Sequence, residues 1–170
     1  MSQAHRARCG ARCGILASVD LNDAAQEVLS LLLSELQRDR VSLRTAFQEG
    51  LPPALGDRAQ LQQVVLNLLL NALEAMSDVD DRPRLLVVGT ETLEGGQLRL
   101  SVKDAGLGQD RETADRLFEP FFTTKQNGLR MGLFVSRSII ERHRGSLTAA
   151  PNEGPGATFS FSIPCSRGRA

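Results

Sequence analysis

The segment from Asp57 to Ser77 restricts the fold more than any other part of the chain. Leu61, Val64, Val65, Leu68, Ala72 and Met76 recur at helical spacing and form one broad apolar face. Asp57 stands where an N-cap is needed. A helix with so wide an apolar face must be covered by another layer. Beside that face runs a polar stripe of Gln63, Asn67, Asn71 and Glu74, at spacings of four, four and three residues. A solvated helix face explains the stripe. So does a ligand site, because an asparagine carbonyl is a hard neutral oxygen suited to Mg2+, which keeps waters and phosphate oxygens as its other ligands.

The rest of the pattern supplies the covering layer. Asp20-Leu21-Asn22-Asp23 caps a helix with Ala24, Val28, Leu31, Leu32 and Leu36 on one side, running to about Arg38. Val41, Leu43, Ala46 and Phe47 predict a short strand, and Leu51 to Gly56, with two prolines, reads as a connector. Leu85–Thr92 and Gln97–Lys103 read as a strand pair turned at Glu94-Gly95-Gly96. Residues 104–130 are glycine-rich with a short helix near Glu112 to Leu117. A further helix runs from Met131 to Arg142, and Ser146–Ala150 and Ala157–Ile163 close the chain as strands around Gly154-Pro155-Gly156. The expectation is an α/β fold: a two-layer sandwich in which a mixed β-sheet is covered on one face by helices. The domain should occupy 15–165, after a disordered leader at 1–14 and before a tail at 166–170.

Composition excludes several functions. The 170 residues balance 20 basic against 20 acidic side chains, so no bulk field points to nucleic acid or an anionic membrane. The apolar run Val64–Leu70 is broken by Asn67 and is too short to span a bilayer. The Arg-rich start has no apolar stretch like a signal peptide, and a cytoplasmic protein without membrane insertion is expected. Cys9 and Cys13 are spaced for a metal, but no further Cys or His pair completes four ligands.

Three more segments carry chemistry. Asp104-Ala105-Gly106-Leu107-Gly108 follows a strand; its carboxylate suits an exocyclic amine, and its glycines let backbone approach a flat ring. It is equally an ordinary turn. Phe118-Glu119-Pro120-Phe121-Phe122-Thr123-Thr124-Lys125 anchors a loop by its aromatics and ends in hydroxyls and a cation, a point charge for phosphate. Gly128-Leu129-Arg130-Met131-Gly132-Leu133 leads into a helix, where backbone amides form an anion site. On its own it is a flexible loop.

The order of these four segments resembles the asparagine, first glycine, phenylalanine and second glycine boxes of the ATP-binding domain of sensor histidine kinases. That domain belongs to the ATPase superfamily shared with DNA gyrase and mismatch-repair ATPases. Phe118 to Lys125 and Leu61 to Met76 are the most specific stretches. Ile140-Glu141-Arg142-His143-Arg144-Gly145 and Gly156-Ala157-Thr158-Phe159 extend the likeness over residues 20–164. The resemblance implies ATP and Mg2+ as cofactors. It implies catalytic roles for Asn67 and Lys125, with Asn71 as metal ligand. It further implies that Asp104 reads the adenine amine, that Gly106 and Gly108 flank the base, and that Thr158 lies behind it. Thr124, Lys125, Gly128, Gly132 and Leu133 would form a lid on the phosphates.

The partner implied is a histidine-bearing dimerisation domain and, through it, a response regulator. Residues 1–20 cannot hold the acceptor hairpin; His5 lies in the leader and His143 matches an ordinary histidine of the family. Arg130 and Arg144 stand where glycine is common, and Gln109 where an aliphatic residue is common. These departures leave a second expectation open, a nucleotide-binding interaction module without turnover. A serine kinase of the anti-sigma type shares the fold, and the Phe-Phe-Thr-Thr-Lys loop argues against it.

Overall fold

The computed structural model describes residues 16–106 and 130–166, without the side chains of Arg130 and Met131. Strand β1 (Ala17–Val19) leads into helix α1 (Leu21–Leu31), where the Asp20 carboxylate accepts the Asp23 N–H at 3.1 Å and so caps the first turn. The single helix expected to run to Arg38 is two. Leu32 leaves helical geometry at φ −100°, ψ 3°, and α2 (Leu33–Arg38) follows. Three consecutive leucines cannot all face inward. The break buries Leu32 and Leu36 and leaves Leu31 and Leu33 in solvent.

Strand β2 (Val41–Phe47) follows, then β3 (Ala54–Gly56), which pairs antiparallel with β1 where a plain connector was expected. Helix α3 (Arg58–Met76) is capped by Asp57 and buries Leu61, Val64, Val65, Leu68, Leu69, Ala72 and Met76. Strands β4 (Arg84–Leu93) and β5 (Gln97–Lys103), helix α4 (Arg130–Arg142), and strands β6 (Ser146–Pro151) and β7 (Ala157–Pro164) complete the described elements.

The main sheet has the order β2-β4-β5-β7-β6. β2 and β4 are parallel because α3 carries the chain across between them; the other pairs are antiparallel. Alternation sorts the side chains. Leu86, Val88, Leu98, Leu100, Val102, Phe159, Phe161 and Ile163 are buried under the helices, while Arg99, Ser101, Lys103, Thr158 and Ser160 share the other face. The expected mixed sheet with helices on one face is what the chain forms. No helix of the described residues is long and apolar enough to cross a membrane.

The described chain enters and leaves at one place. The Ser18 and Ser166 hydroxyls lie 2.9 Å apart, the Ser166 N–H donates to the Pro53 carbonyl at 2.7 Å, and Cys165 bridges to Ala54.

The end of α4 holds two residues of note. Arg144 has φ 61°, its N–H reaches Glu141 O, and Gly145 N–H reaches back to Ile140 O. That pair of bonds is the helix-ending motif that places glycine at the left-handed position. Arg144→Gly is therefore expected to stabilise the domain by about 1 kcal/mol, read as a raised denaturation midpoint with an unchanged denaturant slope. His143 is buried; its Nδ1–H donates to Ile139 O at 2.8 Å and its Nε2 accepts the Asp57 N–H at 3.1 Å. A carbonyl only accepts and an amide only donates, so these partners fix the tautomer. Both ring nitrogens are thus engaged: Nδ1 anchors the ring on α4 and Nε2 joins it to the start of α3.

Candidate functional site

The polar stripe of α3 sits between two close backbone approaches. At one end Gly132, in the first turn of α4, lies against Asn67: a Cβ there would stand 3.3 Å from the Asn67 Cγ. The Asn67 Nδ2 donates to Gly132 O at 3.2 Å and to Ser136 Oγ at 3.0 Å. At the other end Gly106, just past β5, presses on α3 so closely that a Cβ would stand 2.6 Å from the Ala75 carbonyl oxygen. Asn67, Asn71 and Ala75 are four residues apart on one helix face, about 12 Å from first to last. Asn71 lies midway, partly exposed and with no side-chain hydrogen bond among the described residues. The two contacts bring a strand-end turn and a helix N-terminus onto one face of α3, one turn to either side of Asn71.

Asp104 stands at the end of β5 beside that turn. It is 3% exposed, and its Oδ1 accepts N–H groups from Gly106 at 2.9 Å and Ala157 at 3.2 Å. Its backbone pairs on both sides, its N–H with Ala157 O and its carbonyl with Asn152 Nδ2. The carboxylate is thus held in one orientation by main-chain amides. Gly156, at φ 94°, makes room for it, since a Cβ would run into the Asp104 carbonyl.

An arginine missed in the sequence locks the same turn. Arg82 donates from Nε to Ala105 O at 3.1 Å and from Nη2 to Gly106 O at 2.6 Å. Arg84 gathers the carbonyls of Ser77, Val79 and Asp39, two of which close the end of α3. Their place just after a helix C-terminus was the available signal.

Other expected site residues fall as follows. Leu133 is 1% exposed, a core residue that anchors α4. Thr158 requires a correction. By the alternation of β7 its side chain lies on the face of the sheet opposite the helices, where it shares a recess with Lys103 and Ser160. Its Oγ1 donates to Asn152 Oδ1 at 2.6 Å, so it reaches Asp104 only through Asn152. The residue of β7 that touches the carboxylate is Ala157, one position earlier. Gly108, Gln109, Thr124, Lys125, Gly128 and the side chain of Arg130 lie outside the described residues.

Among the described residues no three His, Cys, Asp or Glu side chains gather as a metal cage. Asn71 with its uncommitted amide, and the Oδ1 of Asn67, fit a hard cation that takes most of its ligands from phosphate and water. A cavity of about 490 Å³ lined by Leu85, Val87, Lys103, Asp104, Asn152 and Pro155 opens beside the end of β5 and includes neither Asn67 nor Asn71.

Residues 56–167 match the family described as histidine kinase-, DNA gyrase B-, and HSP90-like ATPases. The chain is 40% identical over 144 residues to the sensor protein FixL of Bradyrhizobium diazoefficiens, a match covering 85% of this chain and 28% of that one. It therefore spans little more than a quarter of the length of that relative. Its fold is similar to the nucleotide-free catalytic domain of the histidine kinase ThkA, with TM-score 0.79, 28% identity, and coverage of 88% and 95% of the two chains. ThkA has also been solved in complex with the response regulator protein TrrA. Full-length ShkA in complex with AMPPNP superimposes with TM-score 0.80 at 25% identity, over 92% of this chain and 32% of that one.

Proposed function

The chain belongs to the family of histidine kinase-, DNA gyrase B-, and HSP90-like ATPases, on its sensor histidine kinase side, and from that membership we propose that it is the catalytic ATP-binding domain of a protein-histidine kinase. The observation that carries this is the α3 stripe, with Asn71 set between the Gly106 turn and the Gly132 turn. The reaction is attack of a histidine nitrogen on the γ-phosphorus of ATP, with cleavage of the bond to the bridging oxygen and departure of ADP. The histidine belongs to a separate dimerisation element, and a response regulator is the next acceptor. Such a reaction places the domain in the cytoplasm, where ATP is.

Each residue has a part. Asp104 accepts from the adenine amine, oriented by the Gly106 and Ala157 amides. Gly106 and Gly108 flank the ring. Asn71 holds Mg2+, with Asn67 beside it. Thr124, Lys125 and Gly128, which lie outside the described residues, would act on the phosphates together with Gly132. Bound Mg2+ supplies charge neutralisation on the phosphate oxygens. The protein's contribution is positioning and fixed dipoles.

The test is calorimetry with AMPPNP and Mg2+, followed by labelling of a supplied histidine hairpin from a close relative. Acid-labile label on the hairpin, and none on this chain alone, is the expected result. No nucleotide binding would remove the reading. Binding without transfer would favour the module without turnover, to which Arg130 at a common glycine position points.

Asn71→Ala supplies a sharper arm. AMPPNP affinity in Mg2+ is expected to fall by about 1–2 kcal/mol, roughly tenfold, with little change in chelator. Equal losses in both conditions would return Asn71 to the role of a solvated helix position.

A further inference from the structure

We propose that Ser136 is a positioning residue for phosphoryl transfer, acting through Asn67; the inference rests on the kinase reading above. Ser136 is fully buried on the face of α4 that packs against α3. A hydroxyl buried between helices is costly unless it is bonded. Here its Oγ accepts from the Asn67 Nδ2 at 3.0 Å. The second hydrogen of that amide goes to Gly132 O at 3.2 Å, one turn earlier on the same face of α4.

These two bonds decide which end of the side chain is available. A carboxamide has two N–H donors and one acceptor oxygen. The Gly132 carbonyl can only accept, so the NH2 must face α4 and the amide cannot be turned round. Both donors are then used, and Oδ1 accepts no hydrogen bond among the described residues. Asn67 accordingly enters the site as an acceptor, in line with Asn71 one turn on. It can accept from a metal-bound water or an N–H, and it cannot donate to a phosphate while the bonds to α4 hold. Ser136 also ties this orientation to the helix that follows the second glycine segment, so a shift of α4 changes the direction of the oxygen.

The experiment uses the full 170-residue chain. Ser136→Ala keeps helix propensity, and far-UV dichroism checks that the fold is retained. Transfer to the supplied hairpin is expected to lose roughly tenfold in kcat, the scale for removing an outer support of a ligating group, with KM for Mg-ATP moving far less. Ser136→Thr, which keeps the hydroxyl, should restore kcat. A second readout needs no nucleotide: the side-chain amide signals of Asn67 by NMR, which in Ser136→Ala should shift and exchange faster with water. Unchanged Asn67 amide signals in Ser136→Ala would overturn the proposal, as would an unchanged kcat in a chain whose wild type transfers. If the wild type transfers nothing, the kinase reading fails and the proposal falls with it, while the amide signals still show whether Ser136 orients Asn67.

Discussion

Asp104→Asn is expected to lower AMPPNP affinity by about 1.5–3 kcal/mol, the range for a hydrogen bond to a charged group, and to leave the fold standing. The two consequences separate because of how the carboxylate is held. Oδ1 takes the N–H groups of Gly106 and Ala157, and an asparagine oxygen can take the same two. The other oxygen becomes an NH2, which would meet the adenine amine donor to donor. Affinity should therefore fall far more than thermal stability. Calorimetry beside a melting curve measures both. Unchanged affinity would remove Asp104 from the base, and an equal collapse of stability would make it a structural carboxylate.

Gly156→Ala should have the largest effect on stability, about 2 kcal/mol or more. Two costs coincide there. The residue sits at φ 94°, and an added Cβ would overlap the Asp104 carbonyl and crowd its Oδ1. Gly50 provides the comparison, since it has φ 69° but nothing within 4 Å of a Cβ. Gly50→Ala should cost only the conformational term, roughly 1 kcal/mol. Urea melts of the two variants measure the difference. Similar costs would mean that the hairpin shifts freely and that Asp104 is not fixed by it. Any nucleotide affinity surviving in Gly156→Ala should be weakened, because the carboxylate must move.

The sequence was most legible where burial is periodic. The apolar face of α3 and the alternation of β4, β5 and β7 follow directly from residue spacing, and with them the sheet and its covered side. Elements of three residues have no period to read, so β1 and β3 went unseen, the second behind Pro52 and Pro53. The break at Leu32 was equally hidden, because Leu31, Leu32 and Leu33 all favour helix and tertiary packing decides which is buried. At the site, Gly132 packs on Asn67, and Gly106, whose N–H bonds to Asp104, packs on Ala75 two turns further along the same helix. Thr158 was misplaced although the signal was present. Ala157, Phe159, Phe161 and Ile163 form the inward set of β7, which puts Thr158 outward. Arg82 and Ser136 carry no motif, and their value rests on which carbonyl or amide the fold sets opposite them.

The meeting of Ser18 with Ser166 has a mechanical consequence. Because the described chain comes in and goes out at adjacent points, segments flanking it would hold the domain like a pendant and would not string it like a bead. A pull transmitted through neighbouring segments would load the small β1–β3 ladder and its bridge to Cys165, and would bypass the five-stranded sheet. The polar stripe of α3 lies outside that load path. That is a useful property for a unit that in its relatives occupies about a quarter of a much longer polypeptide.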